Sequence, residues 1–340
     1  MEHRKEPLVS IITPCYNGGE YLSTFLDSIV NQSYLNIEFI FINDGSTDDS
    51  ETIVLAYKEA FKKAGIRFIY LFQENKGQAA ALNQGLAIFQ GEYLTWPDAD
   101  DVLDRDNIRD RVAFLENNSE YNVVLCDSVL VNTEGTILKQ IRRAIPKKTD
   151  TIFQDLINEE NIYFAGGAYM IRSSAFLRSN PNRHIYESRG GQNWQMLLPV
   201  LYSNRCGYLQ KPLYHIVEHL DSHSRALKTL DEHVQRTLEH EAILVNTIKC
   251  IDSMSHIERL KYLQLVEKKY ASKRFRLATR MKDKSRALEF YKELKKKKFA
   301  TFKDLVHLWS IDNYFFAGLV AYRNYLKKRK QAHNHPLIKS

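Results

Sequence analysis

Ile37-Glu38-Phe39-Ile40-Phe41-Ile42-Asn43-Asp44-Gly45-Ser46 and Tyr93-Leu94-Thr95-Trp96-Pro97-Asp98-Ala99-Asp100-Asp101 each run from a short apolar stretch into an acidic loop. Short, nearly unbroken apolar runs bounded by turn residues read as strands of a parallel sheet buried on both faces. In a doubly wound sheet, ligands collect at the carboxyl ends of the strands, so two acidic strand ends can face one crevice. Working outward, residues 8–13 form another apolar run closed by Pro14. Asn17-Gly18-Gly19 then precedes a helical pattern carrying Leu22, Phe25, Leu26 and Ile29. Ser46-Thr47-Asp48-Asp49 supplies helix-capping residues before Ile53, Val54 and Tyr57.

Residues 66–72 give a third strand, Asn75-Lys76-Gly77 breaks it, and Ala79, Ala80, Leu82, Leu86 and Ala87 mark a close-packing helix. Repeated β-α units predict an α/β fold, a mostly parallel Rossmann-like sheet sandwiched by helices. The G-x-G-x-x-G fingerprint is missing, which argues against a dinucleotide site. A helix is expected from Asp104 to about Leu115, with strands at 123–126 and 129–131 on either side of Asp127. Residues 136–225 are less regular. From Leu227 onward apolar residues recur at helical spacing, predicting an α-helical basic C-terminal extension. The expected domains are therefore residues 1–225 and 226–340.

The 340 residues, 44% hydrophobic and 26% charged, suit a globular protein with a sizeable core. Charge is uneven. Residues 226–340 hold 26 Lys/Arg against 12 Asp/Glu, a balance of +14, whereas the residues before them hold 22 against 29, or −7. A basic appendage beside an acidic body suggests contact with an anionic surface. Lys295-Lys296-Lys297-Lys298, and Lys327-Lys328-Arg329-Lys330 beside Tyr314-Phe315-Phe316 and Tyr325, are the runs that would seat the tail on anionic lipid. No nucleic-acid module is recognisable, so nucleic acid is not expected as a partner. Cys15, Cys126, Cys206 and Cys250 lack C-x-x-C spacing and read as reduced, buried thiols. With no signal-peptide pattern or membrane-length apolar run, a cytoplasmic protein lying peripherally on the inner face of the plasma membrane is expected.

Mg²⁺ and Mn²⁺ take oxygen ligands, and proteins usually contribute one or two carboxylates while substrate phosphates complete the shell. Asp98-Ala99-Asp100 at a strand end meets that need, because an i, i+2 pair in extended backbone directs both carboxylates to one side. Asp44 precedes Gly45, which permits a sharp turn and close approach of a ligand; Asp44 or Ser46 also suits a helix N-cap. Lys76 is free to meet phosphate or solvent.

In order, Val9-Ser10-Ile11-Ile12-Thr13-Pro14-Cys15-Tyr16-Asn17, Asn43-Asp44-Gly45-Ser46-Thr47-Asp48, Asn75-Lys76-Gly77 with Asn83, and Asp98-Ala99-Asp100-Asp101 resemble family 2 glycosyltransferases. The resemblance is close over residues 8–104, extends to about 225 and does not reach the tail. It implies the GT-A fold, a nucleotide-sugar donor, usually a UDP-sugar, and inverting transfer. It implies that Thr13, Pro14 and Tyr16 line the nucleotide pocket and that Asp44 binds uracil or ribose. Asp98 and Asp100 become the metal-diphosphate pair, with Asp100 the direct ligand of Mn²⁺ or Mg²⁺. His219 or His223 corresponds to a late diphosphate contact, and Gly166-Gly167 and Arg172 lie where the family often meets acceptor.

The family usually opens a later helix with a Glu-Asp pair whose Asp is the general base. Here Gly191-Gln192-Asn193-Trp194 takes that place, and a neutral amide cannot accept a proton at working pH. Glu187 is the favoured replacement, with Asp127, Asp221 or a loss of activity as alternatives. Gln192 and Asn193 are then expected to hydrogen-bond acceptor hydroxyls, and Trp194 to stack a sugar face or fill core. The expected function is hexosyl transfer to a lipid-linked or saccharide acceptor in capsule or exopolysaccharide assembly. The alternative is a non-catalytic partner that keeps the nucleotide-sugar fold.

Overall fold

The computed structural model describes residues 6–142, 152–160, 165–219 and 229–313, with a few helical positions beyond. Asp221, His223, Tyr314, Phe315 and the 327–330 basic run lie outside the described residues. Two compact units result, residues 1–222 with 246–255, and residues 223–245 with 256–340.

The first unit follows the β-α alternation: β1 (Val9–Cys15), α1 (Gly19–Val30), β2 (Ile37–Asp44), α2 (Ser50–Ala56), α3 (Lys58–Lys63), β3 (Arg67–Gln73), α4 (Gln78–Ile88) and β4 (Tyr93–Thr95). It continues with β5 (Val102–Leu103), α5 (Asn107–Asn117), β6 (Val123–Val131), β7 (Ile137–Ile141), α6 (Ile152–Asn158), β8 (Tyr169–Arg172), α7 (Ser173–Ser179), α8 (Gln192–Ser203) and β9 (Cys206–Val217). The sheet runs β3-β2-β1-β4-β8-β6-β9-β5, with β7 beside β6. It is parallel from β3 to β4 and mixed beyond, because β8 runs antiparallel to both β4 and β6. This is the GT-A arrangement, a Rossmann-like α/β sheet covered by helices.

Alternation along β2 explains the two covered faces. Phe39 meets Phe25 of α1 and Phe61 of α3, whereas the Ile42 and Ile12 side chains meet Gly85 of α4 on the opposite face. A Cβ at Gly85 would lie 2.3 Å from Ile12 Cγ2. Gly85→Ala is therefore expected to lower stability by about 1–3 kcal/mol through overpacking, read as a fall in the denaturant midpoint at unchanged slope. Of the residues expected to bury α4, Ala87 is instead exposed.

Three other expectations need correction. Pro14 does not close β1, which stays in register with β2 as far as Cys15. Since β4 pairs β1 only over Val9–Ile11, one edge of β1 is already free where Pro14 lacks its N–H. Residues 123–131 form one strand, with Asp127 at a register shift against β9 rather than in a break between two strands. None of the four cysteines is in a disulfide, but Cys250 is exposed and Cys206 only half-buried.

The second unit is helical, built from α9 (Leu230–Lys249) as far as Val245, α10 (His256–Arg280), α11 (Lys284–Lys296) and α12 (Phe302–Trp309). Its core is an apolar seam of Ala271, Phe275 and Ala278 from α10 against Ala287, Phe290, Tyr291 and Leu294 from α11. Buried Arg274 bonds Glu241 at 2.5 Å. Asp283 caps α11 through Arg286 N, and Thr301 with Asp304 forms a capping box on α12. No described helix is long and apolar enough to cross a membrane.

Candidate functional site

The loop after β2 ties together the loops after β1 and β3. Ser46 Oγ accepts the Asn17 N–H, Ser50 Oγ the Gly18 N–H and Asp48 Oδ2 the Gly19 N–H, while Asn17 Oδ1 accepts Thr47 N–H. Asp48, not Asp49, performs the capping foreseen for this stretch: its Oδ1 accepts both the N–H and the hydroxyl of Ser50. Those hydrogen bonds hold the Asp48 carboxyl below its usual range against a burial effect of opposite sign.

On the other side, Asp44 accepts from Gln73 Nε2 (2.7 Å), Lys76 N (2.9 Å) and Gly77 N (2.9 Å). Asp44 is buried, and its oxygens hold the Asn75-Lys76-Gly77 turn. A carboxylate offers about four lone-pair sites, so one direction remains for a nucleoside donor. Gly77 has φ 94° and supports α4 in a conformation that favours glycine. Lys76 is exposed beside it. Thr13 and Pro14 are buried within β1, so of the three residues expected to line the nucleotide pocket only Tyr16, 50% exposed, offers surface.

The acidic loop after β4 separates three carboxylates by environment. Asp98 is half-buried, accepts Gln78 Nε2 at 2.7 Å, and is pushed up to about 7 by burial first and then by the neighbouring Asp100 charge. Asp100 has half its side chain exposed. Asp101 is buried and spends both oxygens on the fold: Oδ2 accepts the Tyr214 hydroxyl at 2.6 Å and Oδ1 accepts Val217 N at 3.0 Å. Tyr214 OH also accepts the Asp98 N–H at 3.2 Å, so one buried tyrosine holds both ends of the loop.

These residues suit a divalent cation on the structure's own terms. Burial and then the Asp100 charge raise the Asp98 carboxyl, a shift that a cation between the two would relieve, and the buried His219 ring carries an Nδ1 with no hydrogen-bond partner among the described residues. His219 Nε2 lies 3.3 Å from the Asp100 carbonyl oxygen and 3.8 Å from its Oδ2, with the ring against Tyr21. Among the described residues no three metal-binding side chains converge. Mg²⁺ and Mn²⁺ sites often take only one or two protein carboxylates and fill the shell with phosphate and water.

The expected acceptor segment is built differently from its reading. Trp194 is 5% exposed and its Nε1 donates to the Leu156 carbonyl, so it fills core and offers no face to a sugar. Gln192 is also buried. Asn193, in the first turn of α8, uses its Oδ1 to accept Trp96 Nε1 at 2.7 Å, linking α8 to the acidic loop. Gly166 and Gly167 are packing glycines: a Cβ there would meet Trp96 at 2.4 Å and Tyr214 at 2.0 Å. Arg172 bonds Tyr93 OH, Tyr121 O and Leu115 O beside the amino end of β4.

Glu187 lies on the loop before α8, with 59% of its side chain exposed and His184 Nε2 at 3.7 Å. The loop is anchored on both sides of it. Asn83 exchanges two hydrogen bonds with Ile185, Gln195 Nε2 donates to Tyr186 O and Ser188 Oγ, and Ser188 and Arg189 pack on Gly77. Asp127 is buried, accepts the Tyr208 hydroxyl and lies 3.9 Å from Arg142, while burial raises its carboxyl. Sequence reading missed Gln78, Trp96, Gln195 and the Tyr214 clamp. Only the position of Gln78, directly after the Asn75-Lys76-Gly77 turn, offered a signal.

The three linked loops, the acidic strand end and the mixed sheet together form a GT-A type α/β fold. The Glycosyl transferase family 2 model matches residues 10–179, and the chain belongs to that family. Among curated relatives, an uncharacterized glycosyltransferase of Rickettsia prowazekii is 40% identical over 130 residues, 38% of this chain and 39% of that protein. Glycosyltransferase GlyA of Streptococcus pneumoniae is 42% identical over 100 residues, 29% of this chain and 14% of its own. The chain thus matches about two fifths of the rickettsial protein and less of GlyA. Among solved structures, S. aureus TarS 1-349 in complex with UDP-GlcNAc superposes with TM-score 0.63 at 17% identity, covering 92% of both chains. The mannosyltransferase PcManGT of Pyrobaculum calidifontis, in complex with GDP-Man and Mn²⁺, gives 0.56 at 17% identity over 97% of this chain and 85% of its own. At these identities the structural likeness is one of fold.

Proposed function

We propose that this chain is an inverting hexosyltransferase that moves a sugar from a UDP-sugar to an acceptor hydroxyl. The observation that carries the reading is the Asp44 clamp. It sets the loop after β3 beside the loop that bears Glu187, while Gln78 at the start of α4 reaches Asp98. Nucleotide diphosphosugars bound to TarS and PcManGT support a donor of this class.

In this reading Tyr16 packs against the base and the remaining lone pair of Asp44 receives a base or ribose donor. Asp98 and Asp100 would hold Mn²⁺ or Mg²⁺. The cation, when bound, offsets the negative charge that develops on the departing diphosphate. Lys76, exposed on the turn that Asp44 holds, would supply a counter-charge to the diphosphate. Glu187 takes the proton of the acceptor hydroxyl as its oxygen bonds to the anomeric carbon, and the bond from that carbon to the diphosphate oxygen breaks. The acceptor is a lipid-linked or growing saccharide of cell-surface polysaccharide, of capsule or exopolysaccharide type, met on the cytoplasmic face of the plasma membrane.

A second reading has an observation of its own. Asn193 corresponds by sequence resemblance to the family's base, and its oxygen accepts Trp96 Nε1, which suits a nucleotide-sugar-binding partner without turnover. Incubating the chain with a panel of UDP- and GDP-sugars and Mn²⁺, and measuring release of nucleoside diphosphate, separates the two. Release that depends on added saccharide acceptor supports transfer. Binding without release across donors and acceptors supports the partner reading.

Tyr214→Phe tests how the acidic loop is held. Loss of the hydroxyl leaves Asp101 Oδ2 and the Asp98 N–H without their shared partner, a cost of about 1–3 kcal/mol. The thermal midpoint is expected to fall and Mn²⁺ affinity to weaken about tenfold, measured by manganese electron paramagnetic resonance. Unchanged manganese affinity would mean that the loop holds its shape without the clamp.

A further inference from the structure

We infer that the turn joining α11 to α12 is the element of this chain that docks on an anionic phospholipid bilayer. This deepens the membrane-face reading above by assigning the partner and the surface. Residues 294–303 read Leu-Lys-Lys-Lys-Lys-Phe-Ala-Thr-Phe-Lys and contain no carboxylate. The turn is tight: Lys298 N donates to Lys295 O, and Phe299 N and Ala300 N both donate to Leu294 O. Lys295, Lys296, Lys298 and Lys303 are all exposed at it. The nearest carboxylates are already engaged, Glu293 by Lys297 at 2.7 Å and Asp304 by the Thr301 cap.

Not every lysine of the run takes part. Lys297 bonds Glu267 and Glu293 within the helical unit, and the hydrogen bond to Glu293 is the main reason its ammonium is held above the usual lysine range. Lys297 is thus structural, and the outward charge is carried by its neighbours.

What favours a bilayer over a soluble polyanion is Phe302. It is the first residue of α12, directly beside Lys303, yet 73% exposed. Trp309, seven residues on and so on the same helical face, is 43% exposed. An aromatic held out of the fold among lysines loses nothing by entering the headgroup region, where aromatic rings and lysines are both favoured. A soluble phosphate polymer would use the charges and leave the ring in water.

The test is sedimentation of the full chain with vesicles, in the absence of nucleotide and metal, so that it stands apart from the donor reading. Binding is expected to equimolar phosphatidylcholine and phosphatidylglycerol, and not to phosphatidylcholine alone. Each outward lysine contributes about fivefold, so Lys295→Gln, Lys296→Gln and Lys298→Asn together should weaken binding on the order of 100-fold. Asparagine is chosen at Lys298 because that residue has φ 59°. Phe302→Ser should cost at least about tenfold, whereas Lys297→Gln should leave vesicle binding within about twofold while lowering thermal stability.

Unchanged circular dichroism of the triple variant and of Phe302→Ser would show that neither loss arises from unfolding. Absence of binding to the anionic vesicles would overturn the inference. So would binding indifferent to Phe302, or soluble polyphosphate competing equally well for wild type and Phe302→Ser. A loss in Lys297→Gln as large as in the triple variant would also overturn it.

Discussion

Asp100→Ala is expected to weaken metal-dependent UDP binding by more than ~100-fold while the protein melts at the wild-type temperature. Both halves follow from where the carboxylates sit. Asp100 has half its side chain in solvent and a histidine 3.8 Å away, so the fold loses little when it is truncated, within about 0.5 kcal/mol. Asp101 is the opposite case, since its two oxygens hold Tyr214 and Val217. Asp101→Ala should therefore lower the melting temperature and impair the site indirectly. Calorimetric UDP titrations with and without Mn²⁺, paired with thermal melts, read both effects. If the two variants behaved alike in stability, the division of labour within the loop would be wrong.

Glu187→Gln is expected to reduce transfer by more than ~100-fold with UDP affinity retained, as removal of a general base requires. The substitution keeps the shape of an exposed side chain that lies 3.7 Å from His184 Nε2, so folding should be indifferent. The loop itself is not loose: Asn83 and Gln195 fasten it on either side of the carboxylate. Asn193→Asp provides the complementary arm. Its carboxylate would still accept Trp96 Nε1 and would add a second oxygen in the first turn of α8, where the helix dipole favours negative charge. Near-normal turnover in Glu187→Gln would remove Glu187 as the base, and a large gain in Asn193→Asp would place the acceptor hydroxyl beside the first turn of α8. Loss in the first and no gain in the second keeps the base at Glu187.

The first half of the sheet was legible because its strands are mostly apolar runs and the loop after each contains glycine, asparagine or aspartate. That pattern has few other physical solutions than a buried parallel sheet. What the pattern does not carry is the direction of a side chain at a loop or helix start. Asp44 turns inward to three N–H donors, and nothing local distinguishes that from an outward carboxylate. Trp194 follows two polar residues at a glycine turn, the context of an exposed platform, yet the tertiary contact with Leu156 buries it. Tyr214 is separated from Asp98 by more than a hundred residues, and the clamp exists only once β9 lies beside β6 and β5. Asp127 read as a break because a carboxylate is costly inside a strand; the Tyr208 hydroxyl and the register shift accommodate it there.

The helical unit illustrates the same limit in charge. A run of four lysines reads as uniform, but helix geometry points Lys297 at Glu293 one turn back and leaves the others outside. The basic tail is thus partly an internal scaffold.

The donor site is tested most directly by calorimetric titration of the wild-type chain with UDP, in Mn²⁺ and in chelator. One binding site is expected, requiring the cation and competed by a UDP-sugar. No binding of UDP or of GDP in either condition would contradict that expectation, because the linked loops would then form a crevice that holds no nucleoside diphosphate.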